Sequence, residues 1–251
     1  GGNSGVAFSP LLIAWIVLPN DQHYLMWFLV ISITAMLVLS YVAAWRRQVI
    51  RQTRNSEKAP IVYPDLSSKQ ISLSVILLLV LIFSKFFYTA SISSYFQFYT
   101  LDKFHFSEVR AQVYLFIYLI ASALGTLLGG YFGDRFGRKP IIWFSILGAA
   151  PFTLALPYAN ALLTGIFIGI IGLIISSAFP AIIVYAQELL PKNIGMVSGL
   201  FYGFAFGMGG LGSALLGLLA NATSVEYVYQ VCSYLPLIGL VAYFLPNLKK
   251  S

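Results

Sequence analysis

Lys85 is the residue whose type and position first indicate chemistry. It follows the apolar residues 71–83 and lies near the middle of a run long enough to cross a bilayer. A cation at that depth costs roughly 2.5–3.5 kcal/mol on insertion scales, so intramembrane charges usually serve a function. At about 100° per residue, it shares one arc of a helix with hydroxyl-bearing side chains, namely Ser84, Tyr88, Ser91, Tyr95 and Tyr99. The arc predicts a water-filled cavity lined by hydrogen-bond donors; a lysine that extends to the membrane surface is the alternative.

A second row of hydroxyls lies on the next apolar run, at Tyr114, Tyr118 and Ser122. Residues spaced four apart share one face of a helix. Tyrosines are common at membrane interfaces, which weakens Tyr114 as a site residue. We therefore predict a binding site made of Lys85, Tyr88, Ser91, Tyr95 and Tyr118.

A cluster of charge occupies the stretch Gly129-Gly130-Tyr131-Phe132-Gly133-Asp134-Arg135-Phe136-Gly137-Arg138-Lys139-Pro140. It lies between two apolar runs, so its charges must stay at a membrane surface. The glycines allow two helices to turn back tightly and approach closely, which predicts packing roles for Gly130 and Gly137. A purely topogenic role is the alternative for the four charged residues, Asp134, Arg135, Arg138 and Lys139.

One face of a later helix carries glycine at every fourth position, at Gly195, Gly199, Gly203 and Gly207. Bare backbone along that face lets another helix pack against it or slide along it. The spacing predicts helix packing and does not separate a static seam from a mobile interface.

The composition indicates what kind of protein positions these residues. The chain has 251 residues, of which 59% are apolar and only 9% charged, whereas ordinary soluble domains carry about 25% charged residues. Its apolar runs are much longer than the ~10 residues of a membrane-spanning strand, which predicts an all-helical integral membrane protein. The single cysteine, Cys232, excludes an intrachain disulfide.

Eight apolar runs are long enough, or nearly so, to span a bilayer. They cover residues 1–18, 24–45, 71–100, 109–132, 140–157, 161–186, 194–220 and 226–246. Lysine and arginine concentrate in alternate connections and at the C-terminus, a pattern that places both chain ends in the cytoplasm. The one long connection, residues 46–70, is basic, so we expect two helices in 1–45, a cytoplasmic linker, and six helices in 71–251.

The sequence shows no pattern of catalysis or cofactor binding beside these spans. It contains no G-x-x-x-x-G-K-[ST] loop, no cluster of metal ligands and no catalytic triad. We therefore expect a protein that is not an enzyme and that uses no cofactor or metal. Its net charge of +7 follows the membrane topology, so the expected surroundings are a lipid bilayer and no nucleic acid.

The spacing G-x-x-x-D-R-x-G-R-K in residues 130–139 resembles the signature loop of the major facilitator superfamily, between the second and third helices of each six-helix half. The resemblance implies helices five to twelve of a twelve-helix transporter, with residues 1–45 ending the N-terminal half and the first four helices missing. It implies that Asp134 stabilises the start of the helix near Gly195, and that Glu188 pairs with Arg138. The implied cytoplasmic gate comprises Asp134, Arg135, Arg138, Lys139 and Glu188.

Longer stretches resemble the fosmidomycin resistance protein family of bacterial drug exporters. They are Gly1-Gly2-Asn3-Ser4-Gly5, Ser84-Lys85-Phe86-Phe87-Tyr88-Thr89-Ala90-Ser91-Ile92-Ser93-Ser94-Tyr95, Tyr185-Ala186-Gln187-Glu188-Leu189-Leu190-Pro191 and Ile194-Gly195-Met196-Val197-Ser198-Gly199-Leu200-Phe201. This resemblance implies proton-coupled export of a phosphonate antibiotic across the bacterial inner membrane, and Lys85 suits an anionic substrate. No Asp or Glu lies mid-span, so the expected proton carrier is Glu188 or a residue of the missing helices.

Three other interpretations stay open. An importer of a small anionic metabolite would use the same fold, because the fold does not fix direction. A non-transporting scaffold or sensor would have no reason to bury Lys85. A truncated chain would be inert, because alternating access requires two helix bundles. We also expect residues 140–157 and 226–246 to be the most lipid-exposed segments, because the resemblance to the superfamily implies it and because they lack mid-span charge.

Overall fold

The computed structural model describes residues 26–53 and 66–248. The described residues fall into two compact units, a smaller one that contains residues 26–53 and a larger one that contains residues 66–248. In the former, the described residues form helix α1, Trp27–Thr53, which continues past residue 45, where we expected the span to end. Arginine and glutamine are good helix formers, which accounts for the extension. The predicted span at residues 1–18 lies outside the described residues.

The larger unit contains the other described helices. In chain order they are α2 (Ser68–Phe104), α3 (Glu108–Phe136), α4 (Arg138–Leu147), α5 (Ala150–Ala155), α6 (Ala161–Leu189), α7 (Ile194–Ala222) and α8 (Val225–Cys232). Two short 3-10 turns, Leu156–Tyr158 and Pro191–Asn193, and a longer 3-10 run, Leu235–Phe244, connect or extend them. No strand occurs in the two described ranges, in agreement with the predicted all-helical class.

Six segments of the larger unit are long and apolar enough to cross a bilayer. They are Ser68–Phe104, Glu108–Phe136, Arg138–Tyr158, Ala161–Leu189, Pro191–Ala222 and Val225–Phe244. Each overlaps one of the six spans predicted within residues 71–251, so these six predictions are confirmed. The total of eight spans stays a prediction, because residues 1–25 lie outside the described part of the chain.

Serine and asparagine residues determine where several of these helices begin. At the start of α2, the Gln70 backbone N–H donates to the Ser67 hydroxyl, and the Ser67 N–H donates to the Gln70 side chain. This reciprocal arrangement satisfies two backbone donors that have no partner within the helix. Side-chain oxygens cap α3, α6 and α8 by accepting from a backbone N–H of the first turn, in Ser107, Asn160 and Ser224.

Helix α2 joins two buried clusters of the larger unit. The first packs α2 against α4, α6 and α7, and includes Leu78, Ile142 and Phe201. The second packs α2 against α3, α6 and α8, and contains the buried tyrosines Tyr88, Tyr99, Tyr118 and Tyr229. Lys85 lies between the two clusters along α2, so packing on either side of it holds its backbone in place.

Among the described residues of this unit, helices α3 and α7 are the least buried spans, and the lipid exposure expected for residues 140–157 and 226–246 stays a prediction. In the most apolar part of each span, 22% of α3 and 17% of α7 is buried, against 44% and 39% for the two predicted segments. Those two segments pack against each other, and Gly239 lets Ile146 approach closely. Both predicted segments are therefore partly covered by neighbouring helices of this unit.

Candidate functional site

A cavity of about 590 Å³ opens between α2, α3, α6 and α7. Its polar lining includes Lys85, Thr89 and Ser93 from α2, Tyr118 and Ser122 from α3, and Ser176 from α6. No carboxylate occurs among the described residues that line it. The charge of this cavity is therefore that of Lys85.

Lys85 faces the cavity from α2 with only 7% of its surface exposed. Its Nζ lies 5.0 Å from the centroid of the Phe86 ring and 4.8 Å from that of Phe179. Ring faces attract a desolvated ammonium without neutralising it. Within residues 66–248, no carboxylate forms an ion pair with this ammonium. Lys85 therefore has the capacity to bind an anion.

Two of the hydroxyl groups that line the cavity with Lys85 are fully buried. Thr89 lies one turn further along α2, and Tyr118 projects from α3. Both oxygens are buried, and neither has a hydrogen-bond partner of good geometry in the described part of the chain. Because an unsatisfied buried hydroxyl costs free energy, both groups are suited to bind a polar ligand. The lysine and these two hydroxyls thus add three donors to those of the serines in the same lining.

A second cluster of charge lies at the turn between α3 and α4. Gly137 forms this turn with a φ of 93°, which residues with a Cβ rarely adopt. Arg138 begins α4 and places Nη2 2.5 Å from Asp134 Oδ1 and Nε 3.6 Å from Glu188 Oε1. One guanidinium thus bridges carboxylates of α3 and α6, including the pair expected between Arg138 and Glu188.

The two other residues predicted for the gate lie beside this cluster. The Lys139 ammonium donates to the Tyr243 carbonyl at 3.0 Å, and the Arg135 guanidinium lies 5.7 Å from the centroid of the Phe136 ring. Within the described ranges, no hydrogen bond or ion pair joins the Asp134 carboxylate to the start of α7, and the Asp134 side chain is 73% exposed. Three of the five predicted residues therefore meet in one ion-pair cluster.

The signature spacing and this geometry agree with a comparison against protein families. The family model of the Major Facilitator Superfamily matches residues 1–209 and 101–251. The chain belongs to the Major Facilitator Superfamily. Its membrane-like helices agree with part of a multi-pass membrane protein, as the sequence predicts.

Two curated relatives extend the comparison. The chain is 53% identical over 247 residues to the fosmidomycin resistance protein of Escherichia coli (strain K12), a match that covers 98% of the chain and 61% of the relative. It is 37% identical over 253 residues to YfnC, an uncharacterized MFS-type transporter of Bacillus subtilis (strain 168), covering 100% of the chain and 62% of that protein. The predicted resemblance is confirmed, and the chain spans about three fifths of the length of these two relatives.

In this superfamily member, three residues predicted for the binding site do not line the cavity. Tyr88 is 1% exposed and packs in the tyrosine-rich cluster. Ser91 is fully buried, and its hydroxyl donates to the Tyr88 carbonyl at 2.7 Å. The Tyr95 hydroxyl donates to the Ser213 carbonyl of α7 at 2.6 Å. Ser91 and Tyr95 stabilise the helix bundle through these bonds, whereas Tyr88 lines a separate small cavity with Lys85. Of the predicted set, only Lys85 and Tyr118 face the cavity of about 590 Å³.

The difference has a geometric cause. With a rotation of about 100° per residue, Ser91 lies about 120° from Lys85 on one side of α2, whereas Thr89 and Ser93 lie about 40° and 80° away on the other. The side of α2 that carries Thr89 and Ser93 faces the cavity, and the side that carries Ser91 faces the core. Lys85 stands at the boundary of both arcs. Lys85, Thr89 and Ser93 are spaced four residues apart, and this spacing identifies the side of α2 that faces the cavity.

The glycines that pack are also different from those predicted. A Cβ on Gly130, Gly195, Gly199, Gly203 or Gly207 would meet no described atom within 4 Å. The packing predicted for them is therefore not seen in this unit, because no described helix lies against that face. On α3, by contrast, Gly125 and Gly129 lie against the backbone of Leu173 and Ser177 of α6. Gly125 and Gly129 have the same four-residue spacing, but we did not predict packing at these two positions.

Proposed function

We propose that this protein is a secondary active transporter that exports a small anionic compound of the phosphonate class by proton antiport and alternating access. The observation that carries the proposal is Lys85, a buried cation without a carboxylate partner among the described residues of its cavity. The name of the Escherichia coli relative, which records resistance to fosmidomycin, supports the substrate class.

A phosphonate matches the donors of the cavity. Its charged oxygens accept a charge-assisted hydrogen bond from Lys85, which is roughly twice as strong as a neutral one. The hydroxyls of Thr89 and Tyr118 donate to the remaining oxygens and fix the orientation of the head. The volume of about 590 Å³ falls within the range of roughly 300–1,000 Å³ that is usual for small-molecule sites.

The Arg138 cluster acts as the gate at the cytoplasmic face of the bacterial inner membrane in this proposal. Lysine and arginine concentrate in the connections on that side, which also places the C-terminus in the cytoplasm. Ion pairs of Arg138 with Asp134 and Glu188 join α3, α4 and α6, with Arg135 and Lys139 at the rim. Breaking such pairs changes the free energy by a few kcal/mol at most, which is enough to shift a two-state population.

The arrangement along the chain follows the predicted domains. We assign residues 1–45 to the last two helices of an N-terminal half, residues 46–70 to a cytoplasmic linker that includes the end of α1 and the start of α2, and residues 71–251 to the C-terminal half. Alternating access requires both halves around a central site. The N-terminal helices that complete the twelve-helix protein are therefore partners of this part.

Proton coupling requires an acidic group, and the described lining of the cavity has none. Glu188 is the acid of α6 that pairs with Arg138 at 3.6 Å. We assign the coupling proton to Glu188 or to a residue of the N-terminal helices.

The test measures fosmidomycin transport by the full-length protein in energised inverted membrane vesicles. Lys85→Ala should lower the transport rate at least about tenfold, because it removes a charge-assisted hydrogen bond. Lys85→Arg keeps the charge with altered donor geometry and should retain part of the activity. Lys69→Ala is the matched control, since Lys69 is an exposed lysine of the same helix.

Two outcomes would contradict this proposal. Full activity of Lys85→Ala would show that the lysine does not bind the substrate. Transport only in the opposite direction would indicate an importer of an anionic metabolite. Lys85→Met, which enters a bilayer more easily than lysine, separates lost binding from failed insertion.

A further inference from the structure

Four aromatic rings form a closed ring of contacts beside Lys85. The centroids lie 5.1 Å apart for Phe86 and Phe179, 5.2 Å for Phe179 and Tyr202, 6.5 Å for Tyr202 and Phe206, and 6.4 Å for Phe206 and Phe86. These residues come from α2, α6 and α7, and all four line the cavity. We call them the aromatic quartet.

Only two of the four rings of the quartet contact the Lys85 ammonium. Phe86 and Phe179 lie over the Lys85 ammonium, at 5.0 and 4.8 Å from ring centroid to Nζ. In the described part of the chain, Tyr202 and Phe206 make no such contact with the ammonium. Their side chains are 45% and 71% exposed within this unit, so ring surface is available on the cavity side. Half of the quartet therefore has no role in holding the lysine.

We propose that the cavity selects organic anions whose charged head is attached to an aromatic body, such as arylphosphonates. This inference rests on the proposed function, because it uses the same anion site. The head binds Lys85, Thr89 and Tyr118, and the body packs against the quartet. Aromatic rings prefer edge-to-face or offset contacts with one another, a geometry that the quartet already uses internally.

Two phosphonates with one head and different bodies test the inference. The dissociation constants of methylphosphonate and phenylphosphonate are measured by titration calorimetry on the full-length protein in nanodiscs, at a mildly acidic pH where both carry a single charge. Phenylphosphonate should bind about tenfold more tightly, because its ring is buried against the quartet. Benzyl alcohol, which has the ring without the charge, should show no measurable binding. Equal affinities for the two phosphonates would overturn the inference.

A substitution in the quartet tests whether its aromatic rings cause the tighter binding of phenylphosphonate. Phe206→Leu removes a ring of the quartet that does not touch Lys85, and should reduce the advantage of phenylphosphonate to about threefold or less without changing the affinity for methylphosphonate. Phe98→Leu is the matched control, because Phe98 is a 56% exposed phenylalanine outside the cavity lining. It should leave both affinities unchanged. An equal loss of both affinities in Phe206→Leu would overturn the inference, since the ring would then act through the anion site.

The inference and the proposed function fail in different ways. Fosmidomycin export that depends on Lys85, together with equal affinities for the two phosphonates, would overturn the inference alone. A wild-type protein that exports no fosmidomycin but prefers phenylphosphonate about tenfold would overturn the proposed function and support the inference.

Discussion

The glycine rows of α3 and α7 have the same four-residue spacing and different surroundings. In α3, Gly125 and Gly129 lie against the backbone of α6. In α7, a Cβ at Gly203 or Gly207 would meet no described atom within 4 Å. The neighbouring helix accounts for the difference, because α6 offers a small residue in return: a Cβ on Gly172 would lie 2.6 Å from the Tyr118 carbonyl. Close approach therefore requires a neighbouring helix on the glycine face, and four-residue spacing on one helix is insufficient.

The α3 row also connects the two candidate sites. Next to these contacts with α6, Ser122 and Ser176 of the cavity lining share a hydrogen bond of 2.5 Å. One turn further along the row, a Cβ on Gly133 would lie 3.0 Å from Arg138 Nη1. The close packing of α3 and α6 thus determines both the width of the cavity and the position of the guanidinium.

The largest effect is expected from Gly129→Ala. The new methyl group would overlap the Ser177 backbone, which no change of side-chain rotamer relieves, so α3 and α6 must separate. The expected destabilisation is about 3 kcal/mol, which corresponds to a fall of roughly 5–10 °C in the melting temperature of the solubilised full-length protein. Gly130→Ala is the control at the next position, where the space is open. Equal melting temperatures for the two variants would show that the α3 row does not determine the packing.

A smaller loss is expected from Gly137→Ala at the end of the α3 row. The turn has φ 93° and ψ 158°, a region that is essentially restricted to glycine. The strain is about 1–3 kcal/mol, and it should appear as a lower melting temperature and faster proteolysis between α3 and α4. Wild-type rates of proteolysis in Gly137→Ala would show that the turn relaxes into another conformation.

The sequence was sufficient to identify the helices of the larger unit, because hydropathy and helix caps are local properties. It did not predict which spans are buried, since that depends on the neighbours of each helix. The segment Arg138–Tyr158 shows this: it bends between Leu147 and Ala150 and packs on α6, although its hydropathy resembles that of more exposed spans.

The sequence predicted the candidate site only where a single residue or a contiguous motif stands out. Lys85 is visible as a charge in an apolar run, and the Arg138 cluster follows from a contiguous motif. Thr89 could have been found from its spacing to Lys85. Phe179 and Phe206 could not, because their distance from the lysine is determined by the packing of α6 and α7 against α2.

Gly133→Ala tests whether the glycine row of α3 positions the guanidinium of the Arg138 cluster. Its methyl group would meet the flexible end of the Arg138 side chain and no backbone, so the cost in stability should be below about 1 kcal/mol. Displacement of the guanidinium should weaken its 3.6 Å pair with Glu188 and lower fosmidomycin transport about two- to fivefold, a change of 0.5–1 kcal/mol. Transport and melting temperature are measured on the same preparation. A fall in stability as large as that of Gly129→Ala would contradict this local explanation.

Gly203→Ala should have the smallest effect. In the α7 row the methyl group enters open space, and alanine favours a helix interior by about 1 kcal/mol over glycine. The melting temperature of the full-length protein should therefore stay unchanged or rise by a few degrees. Gly207→Ala, one turn further along the same face, should behave in the same way. If either variant lost as much stability as Gly129→Ala, a part of the protein outside the described residues would pack closely on α7. The two glycine rows would then serve the same purpose.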